Sequence, residues 1–163
     1  MTEGDWKTCR DPEPMVRAVS TECLQRELRL FAASCVRRVW HLLSDGCRAA
    51  VEASEKFAEG QIDELALAEA VAVADRETQA IWPGSQSPDS RGYAASAAVD
   101  ASSVCSRTAA NVLAATSCAA SAAGCALAEE NETRYDESFE ASRTAELAVQ
   151  AELLRGLIRY PAA

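Results

Sequence analysis

The sequence predicts an all-α fold: a single-domain bundle of five or six helices with a long Ala/Ser-rich central helix. Three observations carry this. Hydrophobic residues make up 48% of the 163 residues but aromatics only 6%, so much of the apolar content is alanine, the strongest helix former. Apolar residues recur at helical spacing between sparse glycines and prolines. No window alternates apolar and polar residues with β-branched enrichment and turn signals, as a half-buried strand does. A chain of this length can bury a core without help from disulfides or metals.

The elements follow in order. In "RDPEPM" the second proline suits the first turn of a short helix ending near Ser20. From Thr21 to Leu43 the apolar spacing is helical, and "SDG" at Ser44 to Gly46 ends that segment while supplying a cap for a helix over Cys47 to Ala58, which stops at Gly60. Asp63 and Glu64 suit the positive end of a helix running to Ile81. Trp82-Pro83-Gly84 is a stop, and "PGSQSPDSRG" (83–92) is expected to be a mobile loop. It divides an N-terminal half, 1–82, from a C-terminal helical hairpin, 93–160.

Residues 94–128 hold fifteen Ala, six Ser and three Cys. Low-complexity disorder is the alternative for this run, because alanine and serine bury little surface. With no proline and only the late Gly124, alanine's propensity favours one continuous central helix. A bend is expected near Thr116-Ser117, where hydroxyls compete for backbone carbonyls. Thr133 and Asp136 resemble a capping box opening a last helix, 134–159, that returns antiparallel against the central one.

The formal net charge is −9, from 25 acidic and 16 basic side chains. Such a surface repels nucleic acid and anionic membranes. The charge is uneven: residues 1–48 carry eight basic and seven acidic side chains, a net of +1, leaving −10 for the remainder. The N-terminal part therefore faces either an acidic partner or the acidic rest of its own fold. The opening "MTEGDWKTCRDPEPM" is not a secretory signal, and no stretch reads as long and apolar enough to span a bilayer, so a cytoplasmic location is expected. The seven cysteines, an odd number, read as reduced thiols.

The segment Leu28 to Leu43, "LRLFAASCVRRVWHLL", concentrates a cysteine, an Arg-Arg pair, a tryptophan and the only histidine of the chain. At about 100° per residue, Leu24, Leu28, Phe31, Cys35, Val39 and Leu42 share one arc, widened by Ala32, Val36 and Leu43. Cys35 lies near the centre of that stripe and reads as a small buried hydrophobe. His41 falls on the opposite side with Arg37, Ser34 and Glu27, expected to cap carbonyls or meet a carboxylate. Arg37 and Arg38 read as solvated or internally paired, or else as part of a partner-facing patch. The candidate interaction face is Leu30, Arg37, Trp40 and His41.

No catalytic, cofactor-binding or metal-ligating set is assigned. His41 and the nearest cysteines lack CxxC or HxxxH pairing. Cys118 and Cys125 are about 10 Å apart along a helix, too far to share an ion unaided. Cys23, Cys35 and Cys47 are spaced by twelve, so a soft-metal site, Cu(I) or Zn, would require tertiary convergence. There is no Gly-x-Ser-x-Gly elbow, Gly-rich loop ending in Gly-Lys-Ser/Thr, or His-Glu-x-x-His, and no nucleic-acid reader motif.

Three stretches, "DWKTCRDPEPM" (Asp5 to Met15), "RELRLFAASCVRRVWHLLSD" (Arg26 to Asp45) and "AVEASEKFAEG" (Ala50 to Gly60), together with "QAELLRGLIRYP" (Gln150 to Pro161), carry a resemblance. The chain resembles a family of uncharacterised, Cys- and Ala-rich helical proteins expanded in large-genome planctomycete bacteria. The resemblance implies no nameable activity. That family's pattern commonly places adjacent cysteines in the Phe-Ala helix, where this chain has Ser34-Cys35-Val36, which weakens a metal reading built on paired thiols. The expected function is a non-catalytic helical protein-protein interaction or adaptor module that meets a protein partner or another copy of itself. The alternatives are a thiol-rich bundle binding a soft metal and an accessory subunit of a multi-protein enzyme or defence complex.

Overall fold

A computed structural model of the chain describes residues 1–19, 24–81, 89–103, 109–129 and 135–160. It is all-helical. The described residues form eight α-helices rather than five or six: α1 (Glu3–Thr8), α2 (Pro12–Val19), α3 (Gln25–Arg37), α4 (Asp45–Ala58), α5 (Glu64–Ile81), α6 (Ser90–Ser102), α7 (Ala109–Glu129) and α8 (Tyr135–Leu157). A 3-10 turn, Trp40–Leu42, lies between α3 and α4.

Much of the local chemistry follows the chain's own signals. Ser44 caps α4, its Oγ accepting from the Cys47 N–H, and the Asp63 carboxylate accepts from the Ala66 N–H at the start of α5. Gly60, at φ 71°, takes the left-handed conformation that favours glycine just past the end of α4. The unexpected α1 opens on a capping box, in which Thr2 Oγ1 accepts from the Asp5 N–H while the Asp5 carboxylate accepts from the Thr2 N–H.

The alanine-rich run is the main correction. It is two helices, not one: α6 ends at Ser102 and α7 begins at Ala109. They pack antiparallel, since the Ser90 N–H and hydroxyl at the start of α6 both donate to the Glu129 carboxylate at the end of α7. What holds the end of α6 is tertiary. The Ala101 carbonyl accepts from Ser54 Oγ of α4 at 2.9 Å, and the Ser103 carbonyl accepts from the buried Arg29 guanidinium of α3 at 3.2 Å. Helices end with unpaired carbonyls, and here the N-terminal half supplies the donors.

The expected loop 83–92 is shorter at its far end. Asp89 caps α6, accepting from the Gly92 N–H, and Ser90 to Gly92 are helical. Residues 82–88, on which the rest of that expectation falls, lie outside the described residues, as do Thr133 and its capping role. Thr116 donates to the Leu113 carbonyl, the competition expected there, yet α7 runs unbroken through it.

α8 returns antiparallel along α7, as expected, with Ser142 Oγ donating to the Ala123 carbonyl and Gln150 Nε2 to the Thr116 carbonyl. Their approach is close at Gly124. A Cβ there would stand 2.8 Å from the Phe139 ring and 3.0 Å from its carbonyl oxygen. One buried cluster joins the two halves, running from Met15, Val16, Phe31 and Val36 through Ala97, Ala101 and Ala119 to Leu154.

By length and composition alone α7 could cross a membrane, which corrects the expectation that no stretch could. Half of its apolar window is buried inside the fold, against α3, α6 and α8, and we read it as a core helix.

Candidate interaction face at the α3–α4 corner

α3 stops at Arg37, well short of Leu43. The Arg38 N–H is shared between the Cys35 and Val36 carbonyls, and the chain tightens into the 3-10 turn. The turn keeps Val39 and Leu43 buried while it leaves Trp40 half-buried and His41 exposed. Arg48 of α4 donates to the Trp40 carbonyl, which also accepts from the Leu43 N–H that closes the turn, so the turn is tied to α4.

The Arg-Arg pair divides its work. Arg37 makes a two-pronged pair with Glu55 of α4, Nε and Nη2 each 2.6 Å from a carboxylate oxygen. This hydrogen bonding holds the guanidinium above its usual pKa, assisted by the charges of Glu55 and Glu52. The same guanidinium lies 4.6 Å from the Trp40 ring centroid, and that of Arg48 lies 5.8 Å from it. Trp40 is thus held by cations from two helices.

Arg38 turns the other way, its Nε 2.5 Å from the Glu146 carboxylate of α8, whose side chain is only 9% exposed. Cys35 is fully buried beneath this pair. Burial pushes its thiol well above the ordinary value, the Glu146 charge adds to that, and the Arg38 charge opposes it. Two basic side chains of the N-terminal part therefore serve the rest of the fold: Arg38 pairs with Glu146 of α8, and Arg29 donates to the Ser103 carbonyl just past α6.

Of the four face residues, Arg37 and Trp40 come together, with His41 next in the chain. His41 neither caps a carbonyl nor meets a carboxylate; it has no hydrogen-bond partner among the described residues. Leu30 lies two turns earlier on α3, half-buried, its carbonyl accepting from Ser34 Oγ. No described contact joins it to the other three. Glu55 and Arg48 complete the corner and escaped the sequence reading. The available signal was the spacing of Arg48 and Glu55, seven apart and on one face of α4.

The chain ends make a second feature. Arg155 of α8 donates to the Trp6 carbonyl at 2.9 Å and the Cys9 carbonyl at 2.8 Å, and the Trp6 and Tyr160 rings lie 5.9 Å apart. An open cleft of about 680 Å³ lies there, lined by Trp6, Lys7, Arg155, Ile158 and Tyr160 among others.

Cys9, Cys35, Cys47, Cys118 and Cys125 are free thiols, and Cys23 and Cys105 lie outside the described residues. Among the described residues no three His, Cys, Asp or Glu side chains converge to hold a metal ion. Comparison with protein-family models, with curated proteins and with solved structures gives no match.

Proposed function

We propose that this protein is a non-catalytic helical interaction module that docks a partner protein at the α3–α4 corner through Trp40, Arg37 and His41, with Leu30 at the margin of the contact. The observation that carries the reading is Trp40, half-exposed and fixed under the guanidinium groups of Arg37 and Arg48. Tryptophan and arginine dominate the energetics of protein interfaces. A ring already ordered in the free protein loses little freedom on binding.

The chemistry favours an acidic segment of the partner. Arg37 is occupied by Glu55, whereas Arg48 donates through Nε to the Trp40 carbonyl and reaches the exposed Asp45 through Nη1 only at 3.5 Å, leaving Nη2 for an incoming carboxylate beside the exposed His41. The five cysteines among the described residues are free thiols, which supports a reducing, cytoplasmic setting. An accessory subunit of a larger enzyme or defence complex is a narrower form of this reading.

The test is purification of the tagged protein from its native cells, beside Trp40→Ala and Arg48→Glu variants checked for unchanged helicity. A stoichiometric partner with an acidic segment is expected with the wild-type chain and lost with both variants. Recovery of the protein alone, or a partner retained by both variants, sinks the reading.

A further inference from the structure

α5 packs on α4 and α6 by one side only, with Leu67 and Ala74 its fully buried residues. The opposite side carries Leu65, Glu69, Ala72, Val73, Arg76 and Ala80, all exposed, with Leu65 at 68% and Val73 at 39%. At about 100° per residue these six fall within about 100° of arc. Glu69 and Arg76 lie near its centre, and neither has a hydrogen-bond or ion-pair partner among the described residues. They cannot pair with each other. Seven residues separate them by about 10.5 Å along the axis, beyond the three- and four-residue spacings at which helical side chains meet.

We propose that this face of α5 pairs with α5 of a second copy of this chain, antiparallel, about a two-fold axis passing between Ala72 and Val73. The face is complementary to itself about that point. Glu69 and Arg76 lie equally far from the axis on nearly the same line of the helix, so each meets the other residue type on the second copy and two ion pairs form by symmetry. Ala72 and Val73 flank the axis, and Ala72 is small enough for close approach. Leu65 covers Ala80 of the second copy at each end. A general apolar partner would not require opposite charges at mirrored positions; a second copy does. One helix pair is a small contact, so the dimer is weak and forms with rising concentration.

The proposal concerns a different surface from the Trp40 corner and stands or falls separately. Sedimentation equilibrium is measured on the wild-type chain, on Glu69→Arg, on Arg76→Glu, and on an equimolar mixture of the two variants. Every substituted position is exposed, and circular dichroism verifies the fold. Each single variant places like charges at both symmetric contacts and is expected to raise the dimer dissociation constant by about tenfold or more. The mixture restores wild-type affinity, because one variant then presents two arginines to the other's two glutamates. A wild-type chain that stays monomeric to about 1 mM, a dimer indifferent to both swaps, or weakening that mixing does not rescue each overturns the proposal.

Discussion

The N-terminal helices and the α6–α7 pair are both buried, but different physics holds each. The first region is filled by large side chains: Met15, Val16, Val19, Phe31 and Val36 are completely covered. In α6 and α7 every buried hydrophobic residue except Val112 and Cys125 is alanine. One region is stabilised by apolar volume taken out of water, the other by backbones brought close and by hydrogen bonds at helix ends. Burial alone does not distinguish them. Substitution does, because the two regions fail in opposite directions.

The largest effect is expected from truncation in the first region. Phe31→Ala removes the largest fully buried side chain among the described residues and leaves a cavity that the surrounding helices only partly close, costing about 3–5 kcal/mol. Urea denaturation with an unchanged slope measures it. A loss under about 1 kcal/mol means that Phe31 does not organise the core.

The reverse change tests the alanine layer. Ala119 is fully covered within α7, and Ala119→Leu keeps nearly the same helix propensity, so its effect reports space rather than local preference. Added carbons force neighbouring backbones apart, at about 1–3 kcal/mol. A neutral or stabilising Ala119→Leu, by the same denaturation assay, shows that the layer has slack and removes the contrast.

The same contrast explains what was legible in the sequence. The cap at Ser44, the acid at Asp63 that opens α5 and the stop at Gly60 are local devices, written in the residues that perform them, although Asp63 acts by capping and not only through the helix dipole. The Phe31–Cys35–Val36 stripe follows from periodicity and survives the early end of α3, because those residues lie before Arg37. The division of the alanine run does not follow from local rules: no proline or glycine marks it. Its far end is fixed by Arg29 and Ser54, at sequence separations of 74 and 47 residues from the carbonyls they bind. A run of small residues has no apolar stripe from which to read partner or direction; the hydrophobic pattern of α6 is nearly isotropic. At the candidate face, the exposure of His41 and Arg37 was readable from one helical wheel. The partners Glu55 and Arg48, and the diversion of Arg38 to Glu146, depend on how helices meet.

The smallest expected effect uses titration, for a thiol buried by small neighbours still loses water. Cys118 of α7 is half-buried, and burial, followed by the Asp100 charge of α6, pushes its thiol from 9.0 up to about 11. Burial also raises the Asp100 carboxyl. Because the folded thiol holds its proton more tightly than the unfolded one, its contribution to stability is fully present below pH 9. That contribution is lost as the unfolded chain ionises between pH 9 and about 11. With the partial exposure of the thiol allowed for, the loss is about 1 kcal/mol at the upper end of that range. The urea midpoint of the wild-type chain should therefore fall more steeply over this interval than that of Cys118→Ala, while the two run parallel below pH 9. Identical slopes above it would mean that water reaches the α6–α7 contact freely, and that the alanine layer is looser than its close packing implies.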